Sequence, residues 1–144
     1  MKRFFIIAII SLVSLTTFAQ PKRPSFEEFQ QMKLDYIVKE MGLNENEIQK
    51  FTPLYKDLIK ERSQIYSKYR NNGKIKMAMR KGEAVADSTM QRISRDDAQL
   101  QIEDAQLEQK YQQKFEQILT PQQVCKWRDA EQKFRTNIMR RRTR

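Results

Sequence analysis

Apolar residues in this chain recur at helical intervals. Ile48, Phe51, Tyr55, Leu58, Ile65 and Tyr69 follow one another in alternating steps of three and four, with Arg62 filling one place in the series. That spacing collects side chains on one face of a helix of 3.6 residues per turn. Further along, Ile93, Leu100 and Leu107 recur every seven residues, and Tyr111, Phe115 and Ile118 continue the stripe. Val124, Trp127, Glu131, Phe134 and Ile138 make a last one, and Phe26, Phe29, Lys33, Tyr36 and Ile37 the first. Strict alternation rich in β-branched residues is absent, and the chain has only 3 Gly and 4 Pro. The pattern predicts an all-α protein.

Polar residues mark where the helices begin. A capping box pairs Ser, Thr, Asn or Asp with Glu or Gln three positions on, each side chain bonding the other's backbone N–H. Ser25 with Glu28, Asn44 with Glu47, Ser88 with Gln91 and Thr120 with Gln123 fit this pattern. They predict four helices, near 26–41, 45–70, 89–118 and 121–139, with Gly42 stopping the first. Pro53 lies inside the second, where it removes a backbone bond and crowds the carbonyl of Gln49. That helix must kink, or break and restart with Thr52 as its cap and Pro53 at its first position. Residues 71–87 form the long connection. A helix there is short and marginal, so the segment is expected to be mobile.

Leu119 and Val124 flank the Thr120 cap as a hydrophobic staple, which fixes the angle at which the chain enters the helix. Leu43 and Ile48 flank Asn44 in the same way. One five-residue grammar thus specifies two corners: Leu119, Thr120 and Gln123 complete, Leu43, Asn44 and Glu47 in a variant that keeps the capping chemistry. On this reading the motif is structural.

The first residues change what the mature chain is expected to be. Lys2 and Arg3 precede an apolar run from Phe4 to Leu15, and Thr17-Phe18-Ala19 offers small residues to a signal peptidase. Cleavage after Ala19 is expected; the run is short for a bilayer span of about 20 residues, although an uncleaved anchor is the alternative. No cysteine stands at the cleavage site to take a lipid. Residues 20–144 then form one helical domain with a basic tail from 140 to 144. The charge of the whole chain is +10. Losing Lys2 and Arg3 leaves 26 basic against 18 acidic residues, or +8. The apolar share drops to about a third, below that of an ordinary globular domain. A core so thin favours a second copy, so a homodimer is expected. Cys125, the single cysteine, cannot close an intrachain disulfide, and is expected to be buried and inert rather than to link subunits.

Two corner motifs in a small, basic, exported, helical chain resemble the LTXXQ-motif family of periplasmic proteins, the Spy and CpxP type. The first copy departs from the motif in Asn44 for Thr and Glu47 for Gln. The resemblance extends in layout over nearly the whole mature chain. It implies an elongated, hairpin-like helical protomer that forms a thin, curved, antiparallel dimer in the bacterial envelope. It also implies one of three roles: an ATP-independent chaperone, a partner in envelope-stress signalling, or a metal-binding sensor.

The residues discriminate among function classes. With no histidine, phosphate-binding Gly-rich loop or nucleophile elbow, no catalytic site is expected. Asp96-Asp97 and Glu103-Asp104 sit among Arg92, Arg95 and Lys110, as on a solvated helix face. Metal binding is disfavoured, because zinc, cobalt and nickel sites want imidazole or several thiolates. Met77 and Met79 suit copper(I), but Lys76 and Arg80 flank them and repel a cation. No cofactor is expected. The tail of Arg140, Arg141, Arg142 and Arg144 suits phosphate, yet export argues against nucleic acid and for anionic lipid headgroups or acidic partners. The sequence best fits a chaperone that holds unfolded envelope proteins. Positive charge draws clients in and adaptable apolar groups retain them. The candidate contacts are Lys74, Ile75, Lys76, Met77, Met79, Arg80 and Lys81, with Tyr66 beside Lys68 and Arg70. A regulatory partner of a membrane signalling protein is the alternative.

Overall fold

A computed structural model describes the backbone of residues 24–142 and the side chains as far as Ile138. The expected signal peptide (1–19) and the side chains of the arginine tail lie outside the described residues. The chain is all-helical: α1 Phe26–Met41, α2 Glu45–Lys68, α3 Arg70–Arg80, α4 Asp87–Phe115 and α5 Pro121–Arg142. Among the described residues no helix is long and apolar enough to cross a membrane.

The helices form one hairpin nested inside another. α2 and α3 fold back along α4, and α1 runs along α5. The α1–α2 and α4–α5 corners therefore lie at one end. The core is packed at that end from the four stripes. Leu34, Ile37 and Met41 of α1 meet Phe51, Tyr55 and Leu58 of α2, Leu107, Tyr111 and Phe115 of α4, and Val124, Trp127 and Ala130 of α5. Its centre is aromatic. The Phe115 ring lies 4.9 Å from Phe51 and 4.8 Å from Trp127, the latter edge to face. Each large side chain buried here contributes about 1.5–3 kcal/mol. The α2–α3–α4 hairpin continues past this core as an arm.

The structure differs from the expected layout in several places. Five helices replace four, because 70–80 is helical rather than an open connection. Tyr69 joins α2 to α3 as C-cap of one and N-cap of the other. Tertiary anchors supply what a short helix lacks alone. The buried Asn72 donates from Nδ2 to Asp96 (2.9 Å) and accepts from Arg92 (3.1 Å), while Lys76 pairs with Asp97. The expected Ser88 cap does not form. α4 begins at Asp87 after Ala86, whose carbonyl accepts the first backbone bonds, from Thr89 and Met90. Asp87 thereby brings its negative charge to the positive end of the helix. α4 also ends earlier than expected, at Phe115, and a turn carries the chain to Thr120. Pro53 does not break α2, which runs unbroken from Glu45 to Lys68 with the proline on its exposed side. Phe26, on the first stripe, is 66% exposed. Cys125 is exposed rather than buried.

The starts of α1, α2 and α5 follow the capping grammar. Ser25 and Glu28 close a full box at α1, and Gly42 ends that helix with a left-handed φ of 67° that a side chain would strain.

Candidate functional site

The two corner motifs stand side by side. The Asn44 N–H donates to Glu47 Oε2 (2.9 Å), and the Glu47 N–H returns a bond to Asn44 Oδ1 (3.0 Å). At the other corner the Thr120 N–H donates to Gln123 Oε1 (2.9 Å), and the Gln123 N–H donates to Thr120 Oγ1 (3.3 Å). Leu119 and Val124 are buried as the staple requires, and Leu43 packs against the core edge. The backbone N–H of Asn44 holds the Glu47 carboxyl below the usual glutamate range, and the Gln123 side chain adds to this. The two corners therefore lie close to each other. Leu43, Asn44, Glu47, Leu119, Thr120 and Gln123 are a structural clasp.

Three charged residues on the apolar stripes meet in the interior. Lys33 Nζ lies 2.6 Å from Glu131 Oε2, and the Tyr55 hydroxyl donates to Glu131 Oε1 at 2.6 Å. Burial, then the Glu131 charge, pushes the Tyr55 phenol far above its ordinary value. Arg62 binds Asp104 (2.6 Å) and Glu108 (2.8 Å). Burial works against the Arg62 charge, but Asp104, Glu131 and Glu108 outweigh it and raise the pKa. Sequence reasoning placed these residues on the stripes without pairing them. A lysine, an arginine and a glutamate in register with buried neighbours were the signal.

The arm is held by a polar seam rather than by a core. Lys68 and the Tyr69 hydroxyl both reach Glu103 (2.8 Å each), and Lys110 and the Tyr111 hydroxyl reach Glu61 (2.7 Å each). The carboxylates at 96, 97, 103 and 104 are therefore interhelical partners, not a solvated face. Glu61 and Glu103 are held below the usual range by Lys110 and Lys68 first, and by the tyrosine hydroxyls next. Tyr111 is correspondingly raised, by burial and then by Glu61.

The candidate client contacts lie on α3 and the turn after it, at the opposite end from the clasp. Met77 is 60% exposed, and Met79, Lys74, Arg80 and Lys81 are exposed beside it. Ile75 is half-buried, and Lys76 is committed to Asp97. Tyr66 stands nearby on α2, exposed, its hydroxyl toward Asp104. Lys74, Arg80 and Lys81 have no carboxylate within salt-bridge distance among the described residues. Nor do the described residues include a group of three or more His, Cys, Asp or Glu arranged to hold a metal ion. This surface can attract anionic groups and hold apolar ones.

Compared with protein-family profiles, with curated proteins and with solved structures, the chain matches none.

Proposed function

We propose that this protein is an ATP-independent holdase of the bacterial envelope, related to the LTXXQ-motif proteins and exported by cleavage after Ala19. The observation that carries this reading is the outer surface of α3. It sets the flexible apolar side chains of Met77 and Met79 beside unpaired Lys74, Arg80 and Lys81. Positive potential raises the rate of encounter with unfolded chains, and thioether side chains adapt to whatever apolar group arrives. The reading involves no chemical step and no cofactor. A homodimer doubles the surface and covers part of a thin core. The arginine tail adds contact with anionic membrane surfaces.

The test is suppression of aggregation for several unrelated unfolding proteins at near-stoichiometric ratio, without nucleotide. The wild type is expected to protect most of them. Met77→Ser/Met79→Ser is expected to lose protection severalfold while keeping its circular dichroism spectrum. Protection of none rejects the chaperone reading. Recovery of one dominant membrane protein from cells, with no general protection, favours the regulatory alternative.

A further inference from the structure

The two limbs of the arm carry opposite charge. Residues 62–81, from the second half of α2 through α3, hold seven Lys and Arg and no Asp or Glu. Residues 87–108 of α4, which face them, hold six Asp and Glu with Arg92 and Arg95. The formal charges are +7 and −4. Little else joins the limbs. Between residues 59 and 106 only Asn72 and Ile93 are buried, and Ile65, Ile75 and Leu100 are half-buried.

Carboxylates hold the seam along its whole length. Arg62 stands where the arm leaves the core, its side chain 12% exposed, between Asp104 (2.6 Å) and Glu108 (2.8 Å). Glu131 acts on it from α5. Arg128 approaches Glu108 at 3.8 Å, and the Tyr66 hydroxyl approaches Asp104 at 3.4 Å, with the Arg135 charge beyond. Further out, Glu103 meets Lys68, Tyr69 and, from its own helix, Gln99. Asp96 meets Asn72 and Arg92, and Asp97 meets Lys76. Glu61 is the one seam carboxylate on α2, and Lys110, Tyr111 and the Lys114 charge face it.

Protonation reverses the charge of one limb. With its carboxyls neutral, the α4 limb carries +2 against +7. Arg62 then keeps a largely desolvated charge without a counter-charge, which strongly destabilises its site. The core end depends less on carboxylates. Glu131 is its one buried acid, and once protonated it still bonds the Tyr55 hydroxyl. We propose that acid opens the arm, parting α2–α3 from α4 beyond Arg62 and uncovering Ile65, Ile75, Ile93 and Leu100 as a second apolar surface for unfolded chains. Lys110 and then Tyr111 hold Glu61 below the usual glutamate range, and Lys68 and then Tyr69 hold Glu103 there. That hold favours the closed arm above the ordinary glutamate pKa of about 4.3 and is lost as pH falls below it. The inference adds regulation to the holdase reading and rests on it for the role of the uncovered surface.

Amide exchange of the full mature protein, corrected for intrinsic rates, is compared at about pH 7 and pH 3. Protection in α3 and the first half of α4 is expected to fall at least tenfold in acid. Leu107–Phe115 is expected to change less than twofold, and the emission of Trp127, the only tryptophan, to stay as it is at neutral pH. Asp96→Asn/Asp97→Asn/Glu103→Gln/Asp104→Asn mimics the protonated limb. At pH 7 it is expected to show the same selective opening and to protect aggregating clients at half the wild-type dose or less. An arm that keeps its protection at pH 3, or a core end that loosens in equal measure, overturns the proposal. An arm that opens in the variant without better protection overturns the role given to the uncovered surface. No protection by either protein rejects the holdase reading instead, and exchange alone then judges the opening.

Discussion

Single residues decide how the corners and the interior charges behave. Thr120→Ala removes a cap and is expected to cost about 1 kcal/mol, read by urea denaturation. Asn44→Ala is expected to cost about the same, and the double variant to deviate from additivity because Glu47 and Gln123 lie close together. Glu131→Ala strands the half-buried Lys33 and the buried Tyr55 hydroxyl, so about 3 kcal/mol is expected, more than for Tyr55→Phe. The shifted carboxyls give a pH dependence with a definite sign. Glu47, Glu61 and Glu103 are depressed in the folded state. Their contribution is present above the ordinary glutamate pKa, about 4.3, and is lost as pH falls below it. Tyr55 and Tyr111 are raised, so their contribution is complete below about pH 10 and is lost above it. Melting temperatures across pH are expected to fall on both flanks. The caps at 25, 44 and 120 were legible in the sequence because capping is local. The Lys33–Glu131–Tyr55 cluster was not, because no local rule pairs residues on three helices.

At the scale of elements, the core end and the arm are built differently. The core end is apolar and close-packed. The arm is joined by ion pairs and hydrogen bonds, many of them half-exposed. Exposed pairs contribute little individually and are screened by salt. Amide hydrogen exchange is therefore expected to be faster in α3 and the first half of α4 than in Phe51–Leu58 or Leu107–Phe115. Raising salt to about 1 M is expected to speed exchange in the arm and leave the core end nearly unchanged. Asn72→Ala is expected to accelerate α3 selectively. The periodicity of the long helices carried four of the five elements. α3 escaped because its helicity depends on Asn72, Lys76 and Tyr69 finding partners on α4. Gly73 and Gly82 and a dense run of Lys and Arg around it hid that dependence. The α3 surface itself was legible, since Met77 and Met79 stand among basic residues in the sequence.

For the molecule as a whole, this division predicts unfolding that different probes see differently. Trp127 emission reports the core end, while far-ultraviolet circular dichroism sums over all helices. In urea the dichroism is expected to begin falling before the emission shifts; coincident curves at low and high salt contradict a separately melting arm. The nesting of one hairpin within another also bears on how the chain reaches this state. Asn72 and Asp96 are 24 residues apart, whereas Glu61 and Tyr111 are 50 apart. Closing the longer loop costs only about 0.6 kcal/mol more in chain entropy. That is less than the gain from burying one aromatic ring. Collapse can therefore nucleate at the aromatic end without waiting for the tip of the arm. The turn at 81–86 becomes a passive tether during folding, and its length and composition are free to vary without slowing it.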